Sequence, residues 1–212
     1  MDAFFEARLS DYDAHMLEAI EGAQEFYPYT ASLLPASPAS KLLDLGCGTG
    51  LELEAYLTIN PDADVTGIDL SSGMLSALRK KFPDRRLNLV CGSYFDLPLG
   101  CEVYDAAVSV ESLHHFTKEE KIPLYRRLCA ALKKEGYFIL TDYFASCDAD
   151  ERAFRAEYMR LRREQGLSDG AFYHYDTPLT VAHECEALGA GGFSRIEILK
   201  SWGATYVLRA TK

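Results

Sequence analysis

One stretch limits what this chain can become: Lys41-Leu42-Leu43-Asp44-Leu45-Gly46-Cys47-Gly48-Thr49-Gly50. An apolar strand pattern runs directly into a glycine-rich turn, and a helical pattern begins at Leu51. A strand, a tight glycine turn and a helix N-terminus form a cradle for a nucleotide-like ligand. Glycine is required where a ligand approaches the backbone and where the turn needs unusual φ and ψ. The spacing is G-x-G-x-G, which departs from the G-x-G-x-x-G of dinucleotide sites.

The rest of the chain alternates strand and helix. Strands are expected at Lys41–Leu45, Ala63–Leu70, Arg86–Cys91, Tyr104–Val110 and Gly136–Asp142. Helices are expected at Leu51–Ile59, Ser71–Phe82 and Lys118–Leu132, with Ser71 or Ser72 as the N-cap of the second. Such alternation implies an open α/β fold, a parallel sheet covered on both faces. Before it, residues 1–40 read as an N-terminal helical cap over the sheet edge. Pro28, Pro35 and Pro38 restrict its helices. Its Asp11-Tyr12-Asp13-Ala14-His15-Met16 stretch reads either as a closure over a ligand, with Tyr12 and His15 as substrate contacts, or as ordinary helix, with Tyr12 and His15 as packing and capping residues.

After Ser146 the pattern changes. Residues 147–176 read as a lid: a charged helix over Asp148–Glu164, then a turn-rich aromatic segment with Phe172, Tyr173, His174 and Tyr175. Residues 177–212 read as a helix from Pro178 to about Leu188, then strands at Phe193–Leu199 and Ala204–Ala210. Their short connection makes that pair antiparallel. His183-Glu184-x-Glu186 reads as a solvated helix face. All 212 residues are expected to form one domain, with 41–146 as its ligand-binding core.

Composition narrows the partners. The net charge of -10 argues against a broad electrostatic grip on nucleic acid or anionic membrane, because phosphates need Lys or Arg. Six scattered cysteines form no C-x-x-C pair, and so give no zinc or redox signature. The first residues lack the basic start and apolar core of a signal peptide, and no apolar run reaches membrane-spanning length. A cytoplasmic setting is the simplest expectation. Self-association into a homodimer is left open.

Asp69 ends the second strand, in Gly67-Ile68-Asp69-Leu70-Ser71. A carboxylate there accepts two hydrogen bonds from a ribose diol and disfavours a 2′-phosphate. The alternative is that Asp69 simply caps the following helix.

Taken together, Leu42–Gly50, Gly67–Ser71, Tyr104-Asp105-Ala106-Ala107-Val108-Ser109 and Leu132-Lys133-Lys134-Glu135-Gly136-Tyr137 resemble the class I S-adenosylmethionine-dependent methyltransferases. The resemblance runs from about residue 40 to 212. It implies a Rossmann-like doubly wound sheet of seven strands, mostly parallel with a reversed last strand. It also implies S-adenosyl-L-methionine as cofactor. On that resemblance Asp44 holds the donor's ammonium, directly or through water. Gly46, Cys47, Gly48 and Gly50 shape the turn beside the methionine portion. Asp69 holds the ribose, Leu70 packs on the adenine and Met74 covers its edge. Ser93 stands where relatives carry an acidic adenine contact, so its hydroxyl or the backbone of Tyr94 takes that role. Ser109 lies where a backbone carbonyl meets the ammonium.

Methyl transfer from a sulfonium is an in-line displacement, so alignment and exclusion of water matter most. A base is needed only where the acceptor must lose a proton. Glu111, His114 and His115 are the candidate catalytic bases, since they follow the fourth strand, where open α/β sheets bind ligands. The alternative for the histidines is a structural or donor-side role, because Leu-His-His-Phe recurs in the family whatever the substrate. The histidine pair suggests metal, but no third ligand stands at a recognised spacing, so none is expected. Tyr143, Tyr158, Tyr173 and Tyr175 are candidates to line an acceptor pocket. Arg155, Arg160 or Arg163 would suit an acidic acceptor. The expected activity is methyl transfer to a small-molecule acceptor. A tRNA-modifying enzyme, using the same donor or a carboxylated form of it, and a catalytically silent donor-binding subunit are the alternatives. NAD-dependent redox chemistry is disfavoured by the turn spacing.

Overall fold

The computed structural model describes residues 12–168, 173 and 175–212. Asp11, Phe172 and His174 lie outside the described residues.

Helices α1 (Tyr12–Ala19) and α2 (Ala23–Ser32) come first. The alternating core follows: β1 (Lys41–Leu45), α3 (Leu51–Ile59), β2 (Asp64–Asp69), α4 (Ser72–Lys81), β3 (Leu87–Cys91), β4 (Tyr104–Val110), α5 (Lys118–Ala131) and β5 (Leu132–Tyr143). A single 3-10 turn, Leu113–His115, lies between β4 and α5. The chain ends with α6 (Asp148–Glu164), α7 (Val181–Ala190), β6 (Arg195–Trp202) and β7 (Thr205–Thr211).

The seven strands form one sheet in the order β3-β2-β1-β4-β5-β7-β6. The pairs from β3 to β5 are parallel, whereas β7 runs antiparallel to both β5 and β6. This is the doubly wound sheet with a reversed last strand. Its order reverses between β1 and β4, which opens a crevice at their carboxyl ends.

Side chains of a strand alternate between faces. Leu42 joins one buried cluster with Val108, Ile139 and Val207. Leu43 and Leu45 join the other with Ala107, Phe138, Leu140 and Leu208. Both faces are therefore dry, as a parallel sheet requires. The N-terminal cap differs from the sequence expectation. Phe26, Tyr27 and Ala31 of α2 belong to the first cluster, so α2 covers a sheet face rather than an edge. Pro28 does not end that helix. Buried Phe26, Tyr27, Thr30 and Ala31 anchor it on both sides of the proline. The Thr30 and Thr141 hydroxyls hydrogen-bond at 2.6 Å to fix it to β5.

Two further expectations are corrected. The helix expected from Pro178 starts at Val181, because Thr180 is its N-cap and accepts from the His183 N–H at 3.3 Å. Glu184 is not solvated. It is fully buried and bonds Lys121 Nζ of α5 at 2.6 Å, with the Tyr125 hydroxyl donating to its other oxygen. The packing of α7 on α5 takes both charges out of water. No described helix is long and apolar enough to cross a membrane.

Candidate active site

The glycine turn is built by its own backbone. Gly46 N–H donates to the Ile68 carbonyl at 2.8 Å and Gly50 N–H to the Cys47 carbonyl at 2.8 Å. Gly46 sits at φ 79° and Gly48 at φ 48°, a region L-residues avoid. The two glycines serve different ends. A Cβ on Gly46 would lie 2.1 Å from Ser112 Oγ, whereas one on Gly48 would meet nothing within 4 Å. Gly46 is needed for packing, and Gly48 leaves its surroundings clear for a ligand.

Asp69 closes the turn. Its Oδ2 accepts from Gly48 N–H at 2.9 Å and its Oδ1 from Ser71 N–H at 2.8 Å. Asp69 thus shapes the glycine turn and holds Ser71, the residue whose hydroxyl caps α4 by accepting from the Met74 N–H at 3.3 Å. Asp13 of α1 accepts from the Thr49 hydroxyl and pairs with Lys81 Nζ at 2.7 Å, which holds α1 over the turn.

Between these elements lies a partly open cleft. Gly46, Cys47, Gly48, Gly50, Asp69 and Leu70 form its floor, and Met74, Tyr94 and Glu111 its walls. Tyr12 and His115 complete it from opposite sides. Of the residues expected at the site, these eleven come together. Tyr12, expected on an acceptor, therefore shares one cleft with the turn.

The others are elsewhere. His15 is exposed on α1 and does not line the cleft, because Tyr12 and Met16, one helical turn apart, present the inner face. Ser93 Oγ accepts from the Phe95 N–H at 3.2 Å, within its own turn. Ser109 is fully buried and donates to the Leu45 carbonyl at 2.9 Å, tying β4 to β1. Tyr143 and Tyr175 border a second hollow with Phe154 and Asp150. Tyr158 lies 6.3 Å from both Tyr173 and Tyr175, ring to ring. His114, 6.0 Å from the Tyr143 ring and 4.0 Å from the His115 ring, stands between hollow and cleft. On α6, Arg155 pairs with Glu119 at 3.2 Å and Arg160 with Glu157 at 2.5 Å, both exposed. The Arg163 Nε donates to the Met159 carbonyl at 3.2 Å.

Asp44 lies behind the floor, 1% exposed, beside Glu52, 4% exposed, which does line the cleft. No N–H or hydroxyl donor among the described residues reaches Asp44 Oδ2 or Glu52 Oε1, and the two carboxyls hydrogen-bond each other. Burial, followed by the charge of Glu52, pushes the Asp44 carboxyl well above the usual carboxylate range. Burial also raises Glu52, and its contact with Asp44 pulls it partly back. Two buried carboxyls in contact keep a proton between them. Glu52 was not among the residues expected from sequence. Neither were Tyr27, Thr49, Ser112 and Phe116, which also border the cleft.

Glu111 directly follows β4 at φ 48°, a strained position for a residue with a Cβ. Burial and the neighbouring Asp142 charge raise its carboxyl to about 7. Asp142 Oδ1 lies 2.6 Å from His114 Nδ1, and Asp142 Oδ2 accepts from the Leu113 N–H at 2.9 Å. Burial alone would lower His114, but Asp142 outweighs it and lifts the imidazole to about 9.

The residues present suit a donor that carries both an ammonium and a ribose. The buried carboxyl pair of Asp44 and Glu52 calls for a cation, and the clear space at Gly48 admits its chain. Comparison with known proteins points the same way. Residues 42–136 match the profile of a methyltransferase-domain family. A tRNA (carboxymethyluridine(34)-5-O)-methyltransferase of Saccharomyces cerevisiae is 29% identical over 116 residues, 54% of this chain and 39% of that protein. A malonyl-[acyl-carrier protein] O-methyltransferase of Priestia megaterium is 34% identical over 102 residues, 48% of this chain and 36% of the relative. The matches thus span well under half of these relatives. A solved S-adenosylmethionine-dependent methyltransferase from Mesorhizobium loti shares the fold, with a TM-score of 0.63 at 20% identity, over 87% of this chain and 96% of that one. Residues 42–136, a little under half of the chain, thus match a methyltransferase domain, and the sheet built around them has the fold of a solved S-adenosylmethionine-dependent methyltransferase.

Proposed function

We propose that the protein transfers a methyl group from S-adenosylmethionine to a small-molecule acceptor. The observation that carries this reading is the buried carboxyl pair of Asp44 and Glu52, whose Oδ2 and Oε1 no N–H or hydroxyl donor among the described residues satisfies, beside a cleft that Glu52 and Asp69 both line. Asp44 and Glu52 would take the donor's ammonium and Asp69 its ribose hydroxyls. Leu70 and Met74 would pack on its adenine.

The donor supplies an activated methyl and leaves as a neutral thioether. The chain's part is to align an acceptor lone pair and keep water out. Glu111 stands at the cleft wall, placed to take a proton from an acceptor that has one to lose. Aromatic Tyr143, Phe154 and Tyr175 around the second hollow suit a compact apolar body. Arg155 and Arg160 are engaged with glutamates on the surface, which speaks against a site for an acidic acceptor there.

The tRNA reading is supported by the names of three relatives, all tRNA (carboxymethyluridine(34)-5-O)-methyltransferases. Against it stand the net charge of -10 and the carboxylates around the cleft. Calorimetry with S-adenosylmethionine and its demethylated product tests the donor. Absence of binding to folded protein would sink the proposal. Radiolabelled methyl transfer to a panel of small acceptors, beside bulk tRNA, tests the acceptor, and label incorporated only into tRNA would replace this reading with the other.

A further inference from the structure

The two adjacent histidines lacked a third ligand in the sequence, and the fold supplies one. Asp176, distant in sequence, lies with its Oδ1 3.1 Å from His115 Nδ1 and 3.6 Å from His114 Nε2. These three atoms all fall within 4.8 Å of one another. A tetrahedral zinc ion with ligands at about 2.0–2.1 Å separates its donor atoms by about 3.3 Å. The separations of 3.1 and 3.6 Å from Asp176 bracket that value, and the two histidine nitrogens stand within 4.8 Å of each other.

The third ligand is fixed in place. Thr177 N–H donates to the His114 carbonyl at 2.8 Å, so the residue beside Asp176 is bonded to the residue it faces. Ala145 and Thr180 form a bridge that ties the same segment to the end of β5.

His114 is also prepared as a ligand. Asp142, 1% exposed, engages Nδ1 at 2.6 Å and leaves Nε2 directed at Asp176. A carboxylate behind a metal-bound histidine sets the tautomer, orients the ring and strengthens the ligand. Asp142 is itself held by the Leu113 N–H at 2.9 Å. The other groups facing the cluster are Glu111, 3.9 Å from His114 Nδ1, and the Tyr143 ring, 6.0 Å from that of His114. Acidic neighbours on two sides favour positive charge at this point, whether proton or metal ion.

We infer that His114 Nε2, His115 Nδ1 and Asp176 Oδ1 form a binding site for a divalent transition-metal ion of the zinc class. Two imidazoles and one carboxylate are a borderline donor set that suits zinc or cobalt and not calcium or magnesium, which take oxygen. Three protein ligands leave a fourth position open. His115 also lines the donor cleft, so that position lies between the cleft and the aromatic hollow. On the methyl-transfer reading, and only on it, the open position would hold an oxygen, nitrogen or sulfur atom of the acceptor. The metal site itself stands without that reading.

The test uses the full chain and Co²⁺, without methyl donor or acceptor, and reads visible absorption during titration. Metal-free protein should bind one equivalent, with visible ligand-field bands of a low-symmetry site and no thiolate charge-transfer band. The last point matters because Cys91, Cys101 and Cys147 are exposed. Zn²⁺ should displace the cobalt. Asp176→Asn and His115→Gln should each weaken binding at least about 100-fold while the melting temperature holds, since Asp176 is 50% exposed. Asp142→Asn should weaken it about 10–100-fold. No stoichiometric binding, a thiolate spectrum, or affinity unchanged in both Asp176→Asn and His115→Gln would overturn the site. Failure of S-adenosylmethionine to bind would leave it standing and would count against the methyl-transfer reading alone.

Discussion

Gly48 donates its backbone N–H to Asp69 Oδ2 at 2.9 Å, which joins the middle of the glycine turn to the end of the neighbouring strand. The carboxylate thereby shapes the floor of the cleft and presents its charge there. Replacing it should separate these effects. Asp69→Asn keeps an acceptor oxygen but loses the charge, and charge-assisted hydrogen bonds contribute about 1.5–3 kcal/mol. Calorimetry should show donor affinity about 10–100-fold weaker. Because the Asn amide can accept from only one of the Gly48 and Ser71 N–H groups, the melting temperature should also fall, by less than for Asp69→Ala. Asp69→Ala strands two backbone donors, Gly48 and Ser71, and should lower both affinity and stability.

Gly46 and Gly48 should fail in different ways. Alanine at 46 places its Cβ against Ser112 Oγ and should destabilise the fold, by about 1–3 kcal/mol for overpacking plus the strain of positive φ. Alanine at 48 meets no atom within 4 Å, so its cost is limited to strain, about 1–2 kcal/mol. Its methyl would stand where the ligand approaches. Paired denaturation and binding curves should show Gly46→Ala chiefly as a stability loss. Gly48→Ala should lose more affinity than stability.

Residues close in sequence carried what was readable. The bounds of β1, α3, β4 and α6 agree with the sequence expectation because each has a clean apolar period or cap signal. Asp69 and the glycines could be read because strand, turn and carboxylate recur at short range. Glu52 could not. It stands in Leu51-Glu52-Leu53-Glu54, where both glutamates look solvated. Only the docking of α1 and α2 buries Glu52 while leaving Glu54 exposed to pair with Lys81 at 2.6 Å. Asp176 was hidden for the same reason, since its meeting with His115 depends on where the lid segment returns.

Lys121 and Glu184 form a buried ion pair at 2.6 Å, with neither side chain more than 2% exposed. Removing one partner leaves a charge stranded in the core, at a cost of about 3–5 kcal/mol. Lys121→Met or Glu184→Gln alone should therefore lower the urea midpoint sharply. The double replacement should recover much of the loss, because no full charge then remains buried. Additive losses in the double-mutant cycle would show that the two side chains act independently.

Asp44 and Glu52 make donor binding dependent on pH. Burial raises both carboxyls, so the folded protein holds a proton there that the unfolded chain, with carboxyls near about 4, has released. For groups raised in this way, stability is fully present below the unfolded value and is lost as pH rises through the folded values. The protein without donor should accordingly become less stable as pH climbs above about 4, as far as these two groups decide it. A bound ammonium reverses the preference, because it favours the ionised pair. Donor binding should then release a proton, and affinity should rise with pH until the pair is ionised in the free protein. Calorimetry near pH 6 in two buffers of different ionisation heat would count that proton. Glu52→Gln removes one of the two raised carboxyls and the charge that adds to the rise of Asp44, and should reduce the release and weaken the pH dependence. Proton release unchanged by that substitution would place the titrating group elsewhere in the cleft.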